Sequence, residues 1–300
     1  MHPLRLLLAG AVDYAGLFPP AGLDMPAAVR NYRDYLGSPD RWALGRFVVP
    51  VGRLGEFESA ADHLLPRAPA PDAWPLAVLL ASGSHEEVET LGEFNSRHAA
   101  EDASAAMGDV IEVKAGSVDA VERIAAAVPR YLTTYVEVPI QGDPAELIAA
   151  IGQAGLRAKV RTGGVTPDAF PAPRELLRFL RACVAAGVAF KATAGLHHPL
   201  RATYRLTYEP DGPTGLMYGY LNVFLASAWM RQGMSDADAE QLLQERSADA
   251  LRVSESSIEW RGHRLDAEAV QRARSGGISS FGSCSFTEPV DELHALGLLQ

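Results

Sequence analysis

Apolar and polar side chains alternate along four stretches of the chain, and a period of two predicts strands. In Asp109 to Lys114, Ile111 and Val113 share one face while Glu112 and Lys114 share the other. Val136 and Val138 oppose Glu137 within Leu132 to Val138, and Ala158 and Val160 oppose Lys159 and Arg161 within Leu156 to Arg161. Phe190 and Ala192 oppose Lys191 and Thr193 within Val188 to Ala194. Apolar runs predict further strands over Leu4 to Val12, Gly45 to Val51, Leu76 to Ala81 and Ile278 to Phe286.

Helical patterns separate these strands. Met25 to Leu36 carries Met25, Val29, Tyr32 and Leu36 near one face, and Leu54 to Leu65 forms a second helix. A Pro/Ala linker spans Pro66 to Pro75. Ser84 with Glu87 three residues on is a capping box, and Ser117 caps Val118 to Ala127. Asp143-Pro144 opens a helix through Gln153, and Pro173 to Ala186 is a helix ended by Gly187. Eight strands alternating with helices imply a parallel sheet with helical crossovers. That count fits a closed (β/α)₈ TIM barrel, an α/β fold, better than an open doubly wound sheet. A single barrel domain is expected over residues 1–300.

After Pro199 the alternation loosens, and an irregular insertion is expected over about 199–270, between strands seven and eight. It includes a short strand at Tyr204 to Tyr208, an apolar helix at Leu221 to Arg231 and an acidic one at Asp236 to Glu245. A hairpin turns at Arg261-Gly262 within Ile258 to Leu265, and Val290 to Leu298 is the final helix.

A net charge of −10 with no offsetting basic stretch argues against a nucleic-acid partner. The apolar run Leu6 to Val12 is too short to span a membrane. Two cysteines, Cys183 and Cys284, are too few for a disulfide framework or a zinc ribbon, and suggest a reducing cytoplasm. The oligomeric state is left open, a homo-oligomer included.

The basic residues change the picture most. The 27 lysines and arginines include only three lysines, Lys114, Lys159 and Lys191, and all three fall on predicted strands. Lysine is ordinarily spent on solvent. A charged face on a central parallel strand has only the barrel interior to enter, where isolated charges are costly unless paired or chemically employed. Glu112 and Glu137 against Lys114, Lys159, Lys191 and Arg161 leave that interior positive, which suits a small anionic substrate. A self-satisfied ion-pair network is the alternative.

The run Lys159-Val160-Arg161-Thr162-Gly163-Gly164, the helix Glu175 to Val184, and the strand Ala185 to Gly195 with its central lysine resemble the deoxyribose-phosphate aldolase family over about residues 156–195. The resemblance implies a barrel and a Schiff-base lysine at Lys191. Ala192 and Ala194 stand where the family has hydroxyls, and no lysine follows Lys191. His197-His198-Pro199 has no counterpart in the family pattern.

An imine-forming lysine must be neutral near pH 7, and burial or a nearby cation lowers its pKa. Lys159 is expected to act on Lys191 in this way. Two ammonium groups about 4 Å apart repel by about 4 kcal/mol at an effective dielectric of about 20. Glu137 and Glu112 are the proton carriers. Lys114, Arg161, Thr193, Asp13 at the end of strand one, and one of His197 and His198 are expected to contact substrate at the mouth. Cys284 reads as a buried structural cysteine. The leading expectation is thus an aldolase-like lyase acting on a small anionic carbonyl compound, with no cofactor and no metal. Two alternatives stand beside it. One is a metal-dependent lyase or isomerase with Glu112, Glu137 and a histidine as ligands and a lysine base. The other is a non-catalytic metabolite-binding barrel.

Overall fold

The computed structural model describes residues 2–68 and 72–299. Eight parallel strands close into a barrel in chain order: β1 (Val12–Tyr14), β2 (Leu44–Pro50), β3 (Trp74–Leu79), β4 (Ala106–Lys114), β5 (Thr133–Glu137), β6 (Arg157–Arg161), β7 (Phe190–Thr193) and β8 (Ile278–Ser283), with β8 pairing back to β1. The fold is a (β/α)₈ barrel. The expected Pro/Ala linker lies partly outside the described residues, and its last two residues, Trp74 and Pro75, already belong to β3.

The first element differs from the expectation. Pro3–Leu8 is a helix, α1, with Pro in its first turn and Leu4, Leu7 and Leu8 buried on one side. The strand begins only at Val12, so Asp13 lies in the middle of β1. Helices α2 (Met25–Leu36), α3 (Leu54–Ala61), α4 (His85–Ala99), α5 (Val118–Ala127), α6 (Ala145–Gln153) and α7 (Pro173–Ala186) follow the first six strands. Their ends are chemically marked. Ser84 and Glu87 form the capping box of α4, and Gly187 ends α7 with φ 67°, a left-handed conformation that costs a Cβ-free residue little.

Between β7 and β8 lie a hairpin (Ala202–Arg205 with Thr214–Met217), α8 (Tyr220–Met230), α9 (Asp236–Leu243), a three-stranded antiparallel sheet (Leu251–Val253, Ser257–Trp260, His263–Asp266) and α10 (Ala267–Gly276); α11 (Thr287–Ala295) closes the chain. Helix α10 has no counterpart in the expected elements. Asp266 caps it, its carboxylate accepting the Ala269 N–H at 2.8 Å. Among the described residues, no helix is long and apolar enough to cross a membrane.

Strand alternation sorts the core into two layers. Outward residues such as Ile111, Val113, Val136, Val160 and Ala192 pack under the helices. Inside the barrel, Val48, Ala77, Val110 and Tyr135 form a separate apolar cluster on the β2–β5 side. The remaining interior is charged.

Candidate functional site

Register sets the charged layer. Glu137 pairs with Lys159 across β5–β6, and Lys159 with Lys191 across β6–β7. All three side chains point inward and are buried. Lys191 is 1% exposed. Its Nζ lies 2.6 Å from Asp13 Oδ2 and donates to Glu112 Oε1. Glu112 Oε2 faces Lys159 Nζ at 2.7 Å, and the same ammonium reaches Glu137 Oε2 at 2.8 Å. Lys114 meets Glu137 Oε1 at 3.7 Å from outside, its own side chain 75% exposed. The order is Asp13–Lys191–Glu112–Lys159–Glu137–Lys114, alternating in sign throughout.

Asp13 is fixed from two further sides. Its Oδ1 accepts the Arg46 backbone N–H at 2.7 Å, and its Oδ2 accepts the Ser280 hydroxyl at 2.7 Å. Gly45 makes this possible, since a Cβ there would sit 2.3 Å from Asp13 Oδ1.

Three expectations are corrected here. Lys114 has the inward phase but stands at the end of β4, so it emerges at the rim instead of joining the interior. Asp13 lies within the barrel beneath Lys191, not at the mouth. The interior is not positive, because Asp13, Glu112 and Glu137 outnumber the two buried lysines while Lys114 and Arg161 are exposed.

The expected lowering of the Lys191 pKa is also overturned. Burial works in that direction, but Asp13 and Glu112 outweigh it and hold the ammonium above the ordinary lysine value. Burial would likewise raise Glu112, yet Lys159 and Lys191 bring it down to about 2. The lysines do not repel one another into neutrality because Glu112 stands between them and binds both.

Above this layer, at the C-terminal end of the strands, is a cavity of about 240 Å³. Lys191, Lys159 and Glu112 form its charged floor. The loop after β1, from Ala15 through Phe18 to Pro20, supplies an apolar wall, and Leu206 and Met217 of the insertion hairpin supply another. Arg161, Thr193, His197 and Cys284 also line it. The Thr193 hydroxyl donates to the Val160 carbonyl at 3.4 Å. A separate recess of about 350 Å³ carries Lys114, Glu137 and, again, Arg161.

Only one of the two histidines enters the main cavity. His197 lines it, with Nδ1 3.0 Å from Ser283 Oγ and 3.8 Å from Cys284 Sγ; burial, helped by His198, pushes its pKa down to about 4. His198 faces a neighbouring recess, stacked on Tyr204 at 3.4 Å between centroids and bonded through Nδ1 to Glu292 at 2.7 Å. Cys284, read from sequence as structural, lines the cavity with Tyr208 Oη 3.4 Å from its sulfur, while burial pushes its thiol pKa up.

Sequence reasoning missed the wall after β1 and the two groups that fix Asp13. Pro19-Pro20 in the loop after β1 is the available signal for a shaped wall at the mouth. Nothing in the local sequence announces the Arg46 and Ser280 contacts, which span 33 and 267 residues.

The ligand set for a divalent ion is not assembled. Both oxygens of Glu112 are engaged by lysines and His198 by Glu292. Among the described residues, no group of three or more His, Cys, Asp or Glu side chains is placed to hold a metal.

No protein-family model matches the chain, and no curated protein matches it. The aldolase likeness therefore rests on residues 156–195, which here form β6, α7, β7 and the turn after it. The alanines that depart from the family pattern have local reasons. Ala192 is wholly buried in the outer core, and Ala194 sits at φ 64° in a turn held by the Thr162 hydroxyl, which donates to its carbonyl at 2.8 Å.

Proposed function

We propose that this chain is a lyase of aldolase type that acts on a small anionic carbonyl compound through an imine at Lys191. The observation that carries the reading is a buried lysine at the floor of a small cavity, held between two carboxylates that can take its proton. A volume of about 240 Å³ suits a metabolite smaller than drug-sized ligands.

The resting ammonium cannot attack a carbonyl. Substrate binding supplies the remedy. An incoming carboxylate or phosphate is drawn to Arg161 and Lys159. When Lys159 turns to that anion, Glu112 loses one of its two cations and its proton affinity rises. Lys191 then gives a proton to Glu112, and its neutral Nζ adds to the carbonyl carbon. Loss of water leaves an iminium. A base removes the proton of the β-hydroxyl, the C–C bond breaks, its electron pair enters the iminium to give an enamine, and an aldehyde leaves. His197, neutral at pH 7 and facing the cavity, is the base. Protonation of the enamine carbon and hydrolysis free Lys191.

A second reading follows from the raised pKa of Lys191: the ammonium stays charged, polarises the carbonyl and stabilises an enolate. Borohydride trapping with a panel of small aldehydes and keto acids separates the two. The imine reading expects reduction to add the substrate's mass to Lys191. Turnover without trapping, abolished in Lys191→Met, supports the charged-lysine reading, and turnover surviving that substitution overturns both. Two free thiols, Cys183 and Cys284, support a reducing compartment such as the cytoplasm.

A further inference from the structure

The barrel has a second polar cavity, of about 420 Å³, at the opposite end from the lysine floor. Its walls come from the starts of the strands and from α10, and they carry Arg46, Arg157 and Arg274 with Ser279 and Ser280. Three guanidiniums around one recess are unexpected in a chain of net charge −10.

Only one of the three is neutralised. Arg46 makes a two-point pair with Asp109, at 2.8 and 2.6 Å. Asp13 borders the recess but is held by Lys191. Arg157 spends one N–H on the Tyr135 hydroxyl at 3.0 Å and lies 5.6 Å from the centre of that ring. Arg274 donates to the carbonyls of Ala9 at 2.9 Å, Ile278 at 3.0 Å and Ser279. Neither has a carboxylate partner among the described residues. A guanidinium carries five N–H donors in a planar fork, so most of those of Arg157 are unspent.

We infer that this recess binds a doubly charged oxyanion of the phosphate class, free or as a phosphomonoester, between Arg157 and Arg274. Two guanidiniums without carboxylate partners match a dianion in charge, and the unspent N–H groups of Arg157 suit its oxygens. Burial depresses the pKa of Arg274, and Tyr135 and Asp13 offset only part of that. The site is independent of the chemistry proposed at Lys191.

Calorimetric titration with inorganic phosphate, and separately with a small phosphomonoester, tests it at constant ionic strength. Saturable binding is expected, weakened at least tenfold in Arg157→Gln and unchanged in Arg174→Gln, an exposed arginine of α7 that lines neither cavity. Tighter binding of the monoester identifies an esterified ligand, and tighter binding of phosphate a free one. In the unaltered protein, phosphate should also protect Arg157 and Arg274, but not Arg174, from an arginine-specific dicarbonyl reagent, a readout that needs no variant to fold. No saturable binding, equal binding by Arg157→Gln, or protection confined to Arg161 would overturn the inference.

Discussion

The two sides of the barrel interior solve the same packing problem in opposite ways. On the β2–β5 side, Val48, Ala77, Val110 and Tyr135 fill space with apolar volume. On the other, five charged side chains from β1, β4, β5, β6 and β7 fill it with ion pairs. Apolar packing would have stabilised that second side at least as well, since buried ion pairs often gain little over hydrophobic replacements. The difference teaches that charge is kept where the cavity has its floor, formed by Lys191, Lys159 and Glu112.

Substitutions sharpen this contrast. Lys191→Met should be the most severe, because it strands Asp13 and Glu112 without their shared cation. We expect a loss of about 3–5 kcal/mol in denaturant unfolding and loss of turnover, because the atom that carries the imine is gone. Val110→Ala, on the apolar side, should cost about 2 kcal/mol. Equal costs for the two would erase the distinction. Gly45→Ala pushes a methyl group into Asp13 and should cost about 1–3 kcal/mol, while also disturbing turnover from a residue that never touches substrate. At the small end, Lys114→Met removes only a solvent-exposed partner of Glu137 and should change stability by less than about 1 kcal/mol.

Acidity separates the two sides as well. The folded pKa of Glu112 lies below its unfolded value, so its contribution is complete above the ordinary glutamate range and is lost as pH falls toward about 2. His197, also depressed, contributes above its ordinary value of 6.5 and loses that contribution as pH falls through about 4. Lys191 is raised, so its share persists up to the ordinary lysine range and disappears at higher pH. Unfolding free energies of Glu112→Gln and His197→Gln, followed from pH 7 to 3, should show shallower acid slopes than the parent. Parallel slopes would mean that neither group carries the acid sensitivity.

The barrel was legible because inward and outward positions alternate so cleanly in β4 to β7. Phase, however, says which way a side chain points and not how far along the axis it stands. Lys114 and Glu112 share a phase, yet one is at the rim and the other in the middle. Asp13 was misplaced for a related reason: Leu4, Leu7 and Leu8 have helical spacing, but the continuous run Leu6 to Val12 read as a strand and shifted the start of β1. The raised pKa of Lys191 could not be read at all. It depends on Asp13 and Glu112 reaching Nζ from strands far away in the chain, Glu112 from 79 positions upstream and Asp13 from the first strand of the barrel.

The scarcity of lysine has a practical side. Two of the three ε-amines are locked inside the barrel, leaving Lys114 as the one side-chain amine presented to solvent. An amine-reactive fluorophore should therefore attach to the side chains at a single position, without any engineered cysteine. That position borders the recess shared with Arg161, so the dye would stand beside the entrance and report the arrival of a charged ligand directly.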